Sequence, residues 1–222
     1  MTQRRAAGLV ATMVAAVVWL PVGESLWLNA MDPWWTSTMV ETCGAHLPDY
    51  RPIAIEQMPR HAVRAALTSE DQKFFTHDGF DWDAIEKAWS AYGKKTGHPL
   101  RGGSTISQQV SRNAFLWQGR NWVRKGLEAW FTVWLELLVP KDRILEVYLN
   151  VAEMGPCTFG IEAAAHHWYG RPASELEPVE SASIIAMLPA PDRRTPKSPV
   201  VTKHAAWILA NRYQPPVALG SP

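Results

Sequence analysis

The chain predicts a mainly α fold preceded by one apolar anchor helix, on three observations. Beyond Pro59, apolar residues recur at helical spacing in segment after segment. No segment alternates with the period of a strand between hairpin turns, and no internal repeat is present. Near the N-terminus lies an uncharged apolar run close to membrane length. With 222 residues, 47% of them hydrophobic, the chain can fill one large core or one domain with a small appendage.

The first element is the apolar run. Arg4 and Arg5 precede it, and it extends from Ala6 to Gly23, interrupted only by Thr12 and Pro21. Its 18 residues are near the lower limit for crossing a hydrocarbon core of about 30 Å. Leu26, Trp27 and Leu28 continue the apolar character beyond Glu24, and Trp19, Trp27, Trp34 and Trp35 gather where an aromatic belt would sit. The two arginines predict a cytoplasmic N-terminus with the rest of the chain across the membrane. A cleaved signal peptide is the rival, but Pro21-Val22-Gly23-Glu24 is a poor cleavage site. The expected organisation is a cytoplasmic stub and transmembrane anchor over 1–28, a linker over 29–59, where Pro and polar residues break any periodicity, and one folded domain over 60–222.

Within that domain, His61 to Phe75 carries apolar residues at helical spacing and stops at Asp78-Gly79. Asp83 to Tyr92 reads as a short helix ended by Gly93, and Lys94 to Ser104 as a loop rich in Gly, Lys and Thr. Helices follow over Ile106–Phe115 and Trp122–Leu138, the latter with one apolar stripe from Val123 to Leu138. Arg143 to Ala152 repeats the theme, with Glu146, Asn150 and Glu153 together on its other face. Ile161–Trp168, Glu180–Leu188 and His204–Tyr213 complete the set.

Composition excludes some functions. Charged residues are 19% of the chain and the net charge is +1, which argues against a nucleic-acid binder. Cys43 and Cys157 are the only cysteines and have no metal-ligand spacing, which excludes a zinc or CxxC redox centre. Two buried free thiols are the default expectation, with a disulfide open if the domain lies outside the cytoplasm. Twelve Trp are many for this length. Core packing is the expectation for most of those outside the N-terminal region, with a membrane interface as the alternative.

Two stretches carry candidate chemistry. Thr68 to Asp81 places Glu70, Asp71, Phe74 and His77 at a helix end before a Gly turn. A carboxylate beside apolar rings can do acid–base work, although an acidic pair at a solvated helix end is the ordinary reading. Arg101 to Asn113 packs glycines, hydroxyls, amides and a cation into a loop-to-helix junction suited to an anion, or simply to an N-capped helix with Ser104 or Thr105 as cap. The spacing is not that of a P-loop.

Together these stretches resemble the peptidoglycan glycosyltransferases (family 51). Glu70-Asp71-x-x-Phe74-x-x-His77-x-Gly79 resembles their first motif, and Gly102-Gly103-Ser104-Thr105-Ile106-Ser107-Gln108-Gln109 their second. Arg124-Lys125-x-x-Glu128 resembles the third, Ile144-Leu145-Glu146-x-Tyr148-Leu149-Asn150 the fourth, and Glu180 with Ala182 the fifth. Trp117 to Glu128 is especially similar to the monofunctional subgroup. One departure is Arg112, where the family usually has Lys, which changes fork geometry and hydration. Lys95-Thr96-Gly97 and Ser111-Arg112-Asn113 mimic transpeptidase motifs, but no SxxK occurs. With the chain ending soon after the fifth motif, no penicillin-binding domain and no transpeptidase activity are expected.

The resemblance implies a lysozyme-like helical domain with a smaller membrane-facing lobe. It implies polymerisation of lipid II: an acceptor 4-hydroxyl attacks the donor's anomeric carbon with inversion, and undecaprenyl pyrophosphate leaves. By the same motif match Glu70 is the base. Arg124, Lys125 and Arg112 are candidates to neutralise the pyrophosphate, with Glu128 orienting them or stabilising the anomeric centre. Ser104, Thr105, Gln109 and Asn113 would contact phosphate or sugar hydroxyls; Asp71, Phe74 and His77 would shape the donor side; Glu146 and Asn150 join the binding set. A divalent cation, Mg2+ or Mn2+, is expected, with Glu70 and Asp71 its candidate neighbourhood. The expected partners are lipid II, the growing glycan chain, the membrane and other cell-wall synthesis proteins, with no nucleic acid. The expected location is the bacterial inner membrane, single-pass, with the catalytic domain periplasmic. A glycan-cleaving muramidase and an inactive membrane scaffold are the rival readings.

Overall fold

The computed structural model describes residues 2–92, 103–119 and 121–213. Among them are ten α-helices: α1 (Thr2–Ala30), α2 (Ser37–Cys43), α3 (Arg60–Glu70), α4 (Trp82–Tyr92), α5 (Ile106–Phe115), α6 (Trp122–Leu138), α7 (Lys141–Val151), α8 (Ile161–Tyr169), α9 (Pro178–Met187) and α10 (Pro199–Ala210). Three short strands accompany them: β1 (Asp49–Tyr50), β2 (Glu153–Gly155) and β3 (Thr158–Phe159). The mainly α expectation is met. The loop expected over Lys94–Ser104 falls mostly on residues 93–102, outside the described residues.

Local sequence sets most boundaries. Thr105 opens α5 with a reciprocal cap: its hydroxyl accepts the Gln108 N–H at 3.2 Å, and Gln108 Oε1 accepts the Thr105 N–H at 3.0 Å. Asn121 caps α6 by accepting the Arg124 N–H at 2.7 Å. Pro178 and Pro199 sit in the first turns of α9 and α10, and Gly170 ends α8 in the left-handed conformation. Helix α7 is the centre of the core, with Ile144, Leu145, Val147, Tyr148, Leu149 and Val151 all buried. Burying an apolar side chain of this size contributes about 1.5–3 kcal/mol. Helix α5 packs on α6 and α7, whereas α3, α9 and α10 pack together. The main cleft opens between these two groups.

Four expectations change. Helix α3 stops at Glu70 rather than Phe75, because Asp71 leaves the helix (φ −160°) to bond elements further along the chain. The last helix begins at Pro199, five residues before His204. The linker expected over 29–59 is a built part of the fold, containing α2, β1 and a 3-10 turn over Ile55–Gln57. Here Ser37 and Thr38 donate to the Asn113 carbonyl, fastening α2 to α5. Finally, β1 pairs in parallel and β2 antiparallel with β3, in strands too short to show alternation.

The default of two free thiols is also overturned. Cys43, ending α2, and Cys157, in the β2–β3 turn, form a disulfide. Cys43→Ser is expected to lower the unfolding free energy by about 2–4 kcal/mol. A denaturant titration checks this, and reductant should move the wild type to the same midpoint. An unmoved midpoint in both cases would show that the bridge carries no stability.

Among the described residues no helix is long and apolar enough to cross a membrane, so the transmembrane helix expected within 1–28 is not confirmed. Helix α1 instead packs its later turns on α6. Leu28 and Ser25 are buried, Trp130 donates to the Val17 carbonyl at 2.9 Å, and Arg143 donates to the Leu28 carbonyl at 2.8 Å. The core expectation for tryptophan also fails, since none of the described Trp side chains is buried. Trp34, Trp35, Trp82, Trp117 and Trp122 are exposed, Trp122 at 86%. The side chain of Trp89 lies outside the described residues.

Candidate active site

The cleft holds about 900 Å³ and has Glu70, the last residue of α3, on its wall. Both carboxylate oxygens accept hydrogen bonds, from Ser69 Oγ at 2.9 Å and from Gln109 Nε2 at 3.1 Å. The Gln109 amide is oriented in turn by Tyr148, whose hydroxyl donates to Oε1 at 3.5 Å. Burial pushes the Tyr148 phenol well up, keeping it protonated as a donor, and the Glu70 charge adds to the shift. Among the residues lining this cleft Glu70 is the one carboxylate, and it shares the walls with Arg112, Arg194 and Lys203.

Asp71 faces a different duty. Gly79 N–H donates to His77 Nδ1 at 3.1 Å, so the ring proton sits on Nε2, which donates to Asp71 at 2.9 Å. Asp71 also accepts the Ile106 N–H at 3.0 Å, satisfying one of the orphan donors at the start of α5. Thr105 Oγ1 donates to the Gly79 carbonyl at 2.7 Å. Asp71, His77 and Thr105 therefore lock the turn after α3 to the start of α5 and hold Glu70 against Gln109. Phe74 is fully buried under the Lys141 ammonium, which lies 4.5 Å from its ring centroid, and does not reach the cleft.

Glu128 is 2% exposed and is not among the residues lining the cleft. Its Oε2 accepts from Arg124 Nη1 at 2.6 Å, and its Oε1 from the Lys125 ammonium. Arg124 Nε also donates to the Gly119 carbonyl at 2.6 Å, and Lys125 reaches Ser104 Oγ at 3.1 Å. One buried carboxylate thus fixes two cations in place. Arg124 lines a second hollow of about 350 Å³ with Asn113, and Gln109 and Arg112 line both this hollow and the cleft. Arg112 is steadied by Asn113, which accepts from its Nε at 3.1 Å.

Two expected binding residues are placed elsewhere. Asn150 is fully buried and brackets Ile53, accepting its N–H at 3.1 Å and donating to its carbonyl at 2.9 Å. Gly160 passes so close that an added Cβ would stand 2.5 Å from the Asn150 carbonyl. Glu146 accepts the Ile55 N–H at 2.7 Å and pairs with Arg143. Both fasten the segment before α3 rather than the cleft.

The residues present do not fit a protein-held metal. Among the described residues no three His, Cys, Asp or Glu side chains gather, and the oxygens of Glu70 and Asp71 are already engaged as above. Sequence reasoning missed Ser69, Arg194 in the segment between α9 and α10, and the α10 wall, namely Lys203, His204 and Trp207. The one signal for that wall is the basic stretch from Arg193 to Lys203, which follows the fifth motif.

The chain matches the family model described as Transglycosylase over residues 38–212. It is 51% identical over 160 residues to the biosynthetic peptidoglycan transglycosylase of Xanthomonas campestris pv. campestris strain 8004, covering 71% of this chain and 63% of that relative's length. It is 42% identical over 219 residues to the protein of that name from Xanthomonas axonopodis pv. citri, covering 98% and 85%. The one from Pseudomonas aeruginosa PAO1 is 42% identical over 211 residues, covering 91% and 88%.

Proposed function

The chain belongs to the transglycosylase family, and from that premise we propose that it is a peptidoglycan glycosyltransferase that polymerises lipid II and releases undecaprenyl pyrophosphate. The observation that carries this reading is the pairing of one cleft carboxylate, Glu70, with the cations Arg112, Arg194 and Lys203 on the same walls. A sugar hydroxyl is a weak nucleophile and needs a positioned base, which Glu70 supplies. The bonds from Ser69 and Gln109 aim its carboxylate. Charge builds on the departing pyrophosphate, and fixed cations that need no reorganisation stabilise it. Arg124 and Lys125, held by Glu128, and Arg112, held by Asn113, meet that requirement. A divalent ion, Mg2+ or Mn2+, would arrive with the substrate phosphates.

We place the catalytic domain outside the cytoplasm, at the surface of the bacterial inner membrane, with the N-terminus cytoplasmic. The Cys43–Cys157 bridge supports an oxidising compartment. The basic residues before the apolar run of α1, and the exposed Trp34, Trp35, Trp117 and Trp122, support contact with a bilayer. A substrate anchored in lipid requires that contact.

The test is polymer formation from lipid II by the full chain, with and without divalent metal, beside digestion of soluble glycan. Polymer without digestion is expected, and digestion without polymer would replace this reading by a muramidase. A fluorescent penicillin should leave the protein unlabelled, for want of an SxxK serine.

A further inference from the structure

Glu153, the first residue of β2, lines the 350 Å³ hollow together with Gln109, Arg112, Asn113 and Arg124. Its Oε1 is buried and meets no hydrogen-bond partner among the described residues. Such an orphan needs a reason, because a buried oxygen without a partner has given up its hydrogen bonds to water and gained none in return. The two guanidinium groups of the hollow do not supply one. Arg124 is taken by Glu128 and the Gly119 carbonyl, and Arg112 by Asn113.

Nor do the neighbouring helices supply a partner. From α8, Glu162 and His166 bond each other, and Glu162 also accepts the Ala173 N–H. From α9, Glu180 is paired with Arg171. Asp192, following α9, repels the group, and the Cys157 N–H of the β2–β3 turn is its one favourable contact. Burial pushes the Glu153 carboxyl up to about 7, opposed by the Cys157 N–H and assisted by the Asp192 charge. Below neutral pH the side chain is therefore largely a neutral acid carrying a donor.

An ionised carboxylate in this hollow would repel a phosphate, whereas a carboxylic acid can donate to one. Building on the lipid-pyrophosphate reading above, we propose that Glu153 is a further binding residue for the substrate's pyrophosphate, its acid O–H donating to a phosphate oxygen lodged between Arg112 and Arg124. No proton changes hands in this role. The acid form completes a ring of donors around the anion, and the ionised form weakens it.

The experiment measures inorganic pyrophosphate binding by calorimetry to the full chain, at about pH 6 and about pH 8.5, which bracket the Glu153 titration. The wild type, Glu153→Gln and Glu153→Ala are compared, with lipid II polymerisation assayed in parallel. Gln keeps a donor and cannot ionise, so it should match the wild type at the lower pH and bind about tenfold tighter than it at the higher. Ala should bind about tenfold weaker than the wild type at the lower pH. The titration of pyrophosphate itself is common to all three proteins and cancels in the comparison. Wild-type and Glu153→Gln binding that fall together with pH, or Ala binding equal to wild type at the lower pH, would overturn the proposal. Polymerisation alongside that result would leave the glycosyltransferase reading intact. The expected binding pattern without polymerisation would sink that reading and leave Glu153 standing only as a pyrophosphate ligand.

Discussion

Glu70→Gln is expected to cut polymerisation by about 10²–10⁴-fold, the usual cost of losing a positioned base. The amide keeps the shape of the side chain but cannot take the acceptor's proton. Little loss of stability is expected, because Gln can still accept from Ser69, whose hydroxyl rotates freely, and the side chain borders open cleft rather than core. The contact with Gln109 is the weaker point, since two amide groups would then have to agree on orientation. The measurement is a single-turnover rate with lipid II beside a thermal melt. A folded Glu70→Gln protein that polymerises at the wild-type rate would remove Glu70 from the base role. Ser69→Ala should act in the same direction with a smaller effect, because it removes only an orienting bond.

Much of the site was legible in the sequence because its parts sit in short local motifs. Glu70, Gln109 and Arg112 line the cleft, and Asn113 and Arg124 the hollow beside it. A motif records that a residue type is needed but not whether it touches substrate or the frame. Asn150 and Glu146 belong to the frame, holding Ile53 and Ile55 from the helix at the centre of the core. Phe74, Asp71 and His77 likewise shape the site by packing and capping. The α10 wall was not legible, because Lys203 and His204 reach the cleft only through the packing of α10 on α9, a long-range fact without a local pattern. The disulfide was hidden for the same reason, with its two halves 114 positions apart in the sequence. The helices were readable from apolar periodicity, but the end of α3 was decided by Asp71 bonding across to α5.

Glu128→Gln is expected to cost about 3 kcal/mol of stability, since removing one partner of a buried ion pair strands the other. Arg124 is only 8% exposed and would lose its neutralising charge, while Lys125, more than a third exposed, can turn to water. Activity should fall by about a hundredfold even where the protein remains folded, because cations displaced by an ångström no longer meet the pyrophosphate. The two effects separate in a double substitution. Glu128→Gln combined with Arg124→Met removes both buried charges and keeps the volume, so it should recover most of the lost stability. It should recover none of the lost turnover, because Arg124 is then absent from the hollow. Melting temperature and kcat for lipid II polymerisation, measured on the wild type, both single variants and the double, decide the matter. Turnover that returns together with stability would mean that Glu128 and Arg124 form a purely structural pair, and that the phosphate-neutralising charge comes from Arg112, Arg194 and Lys203 alone.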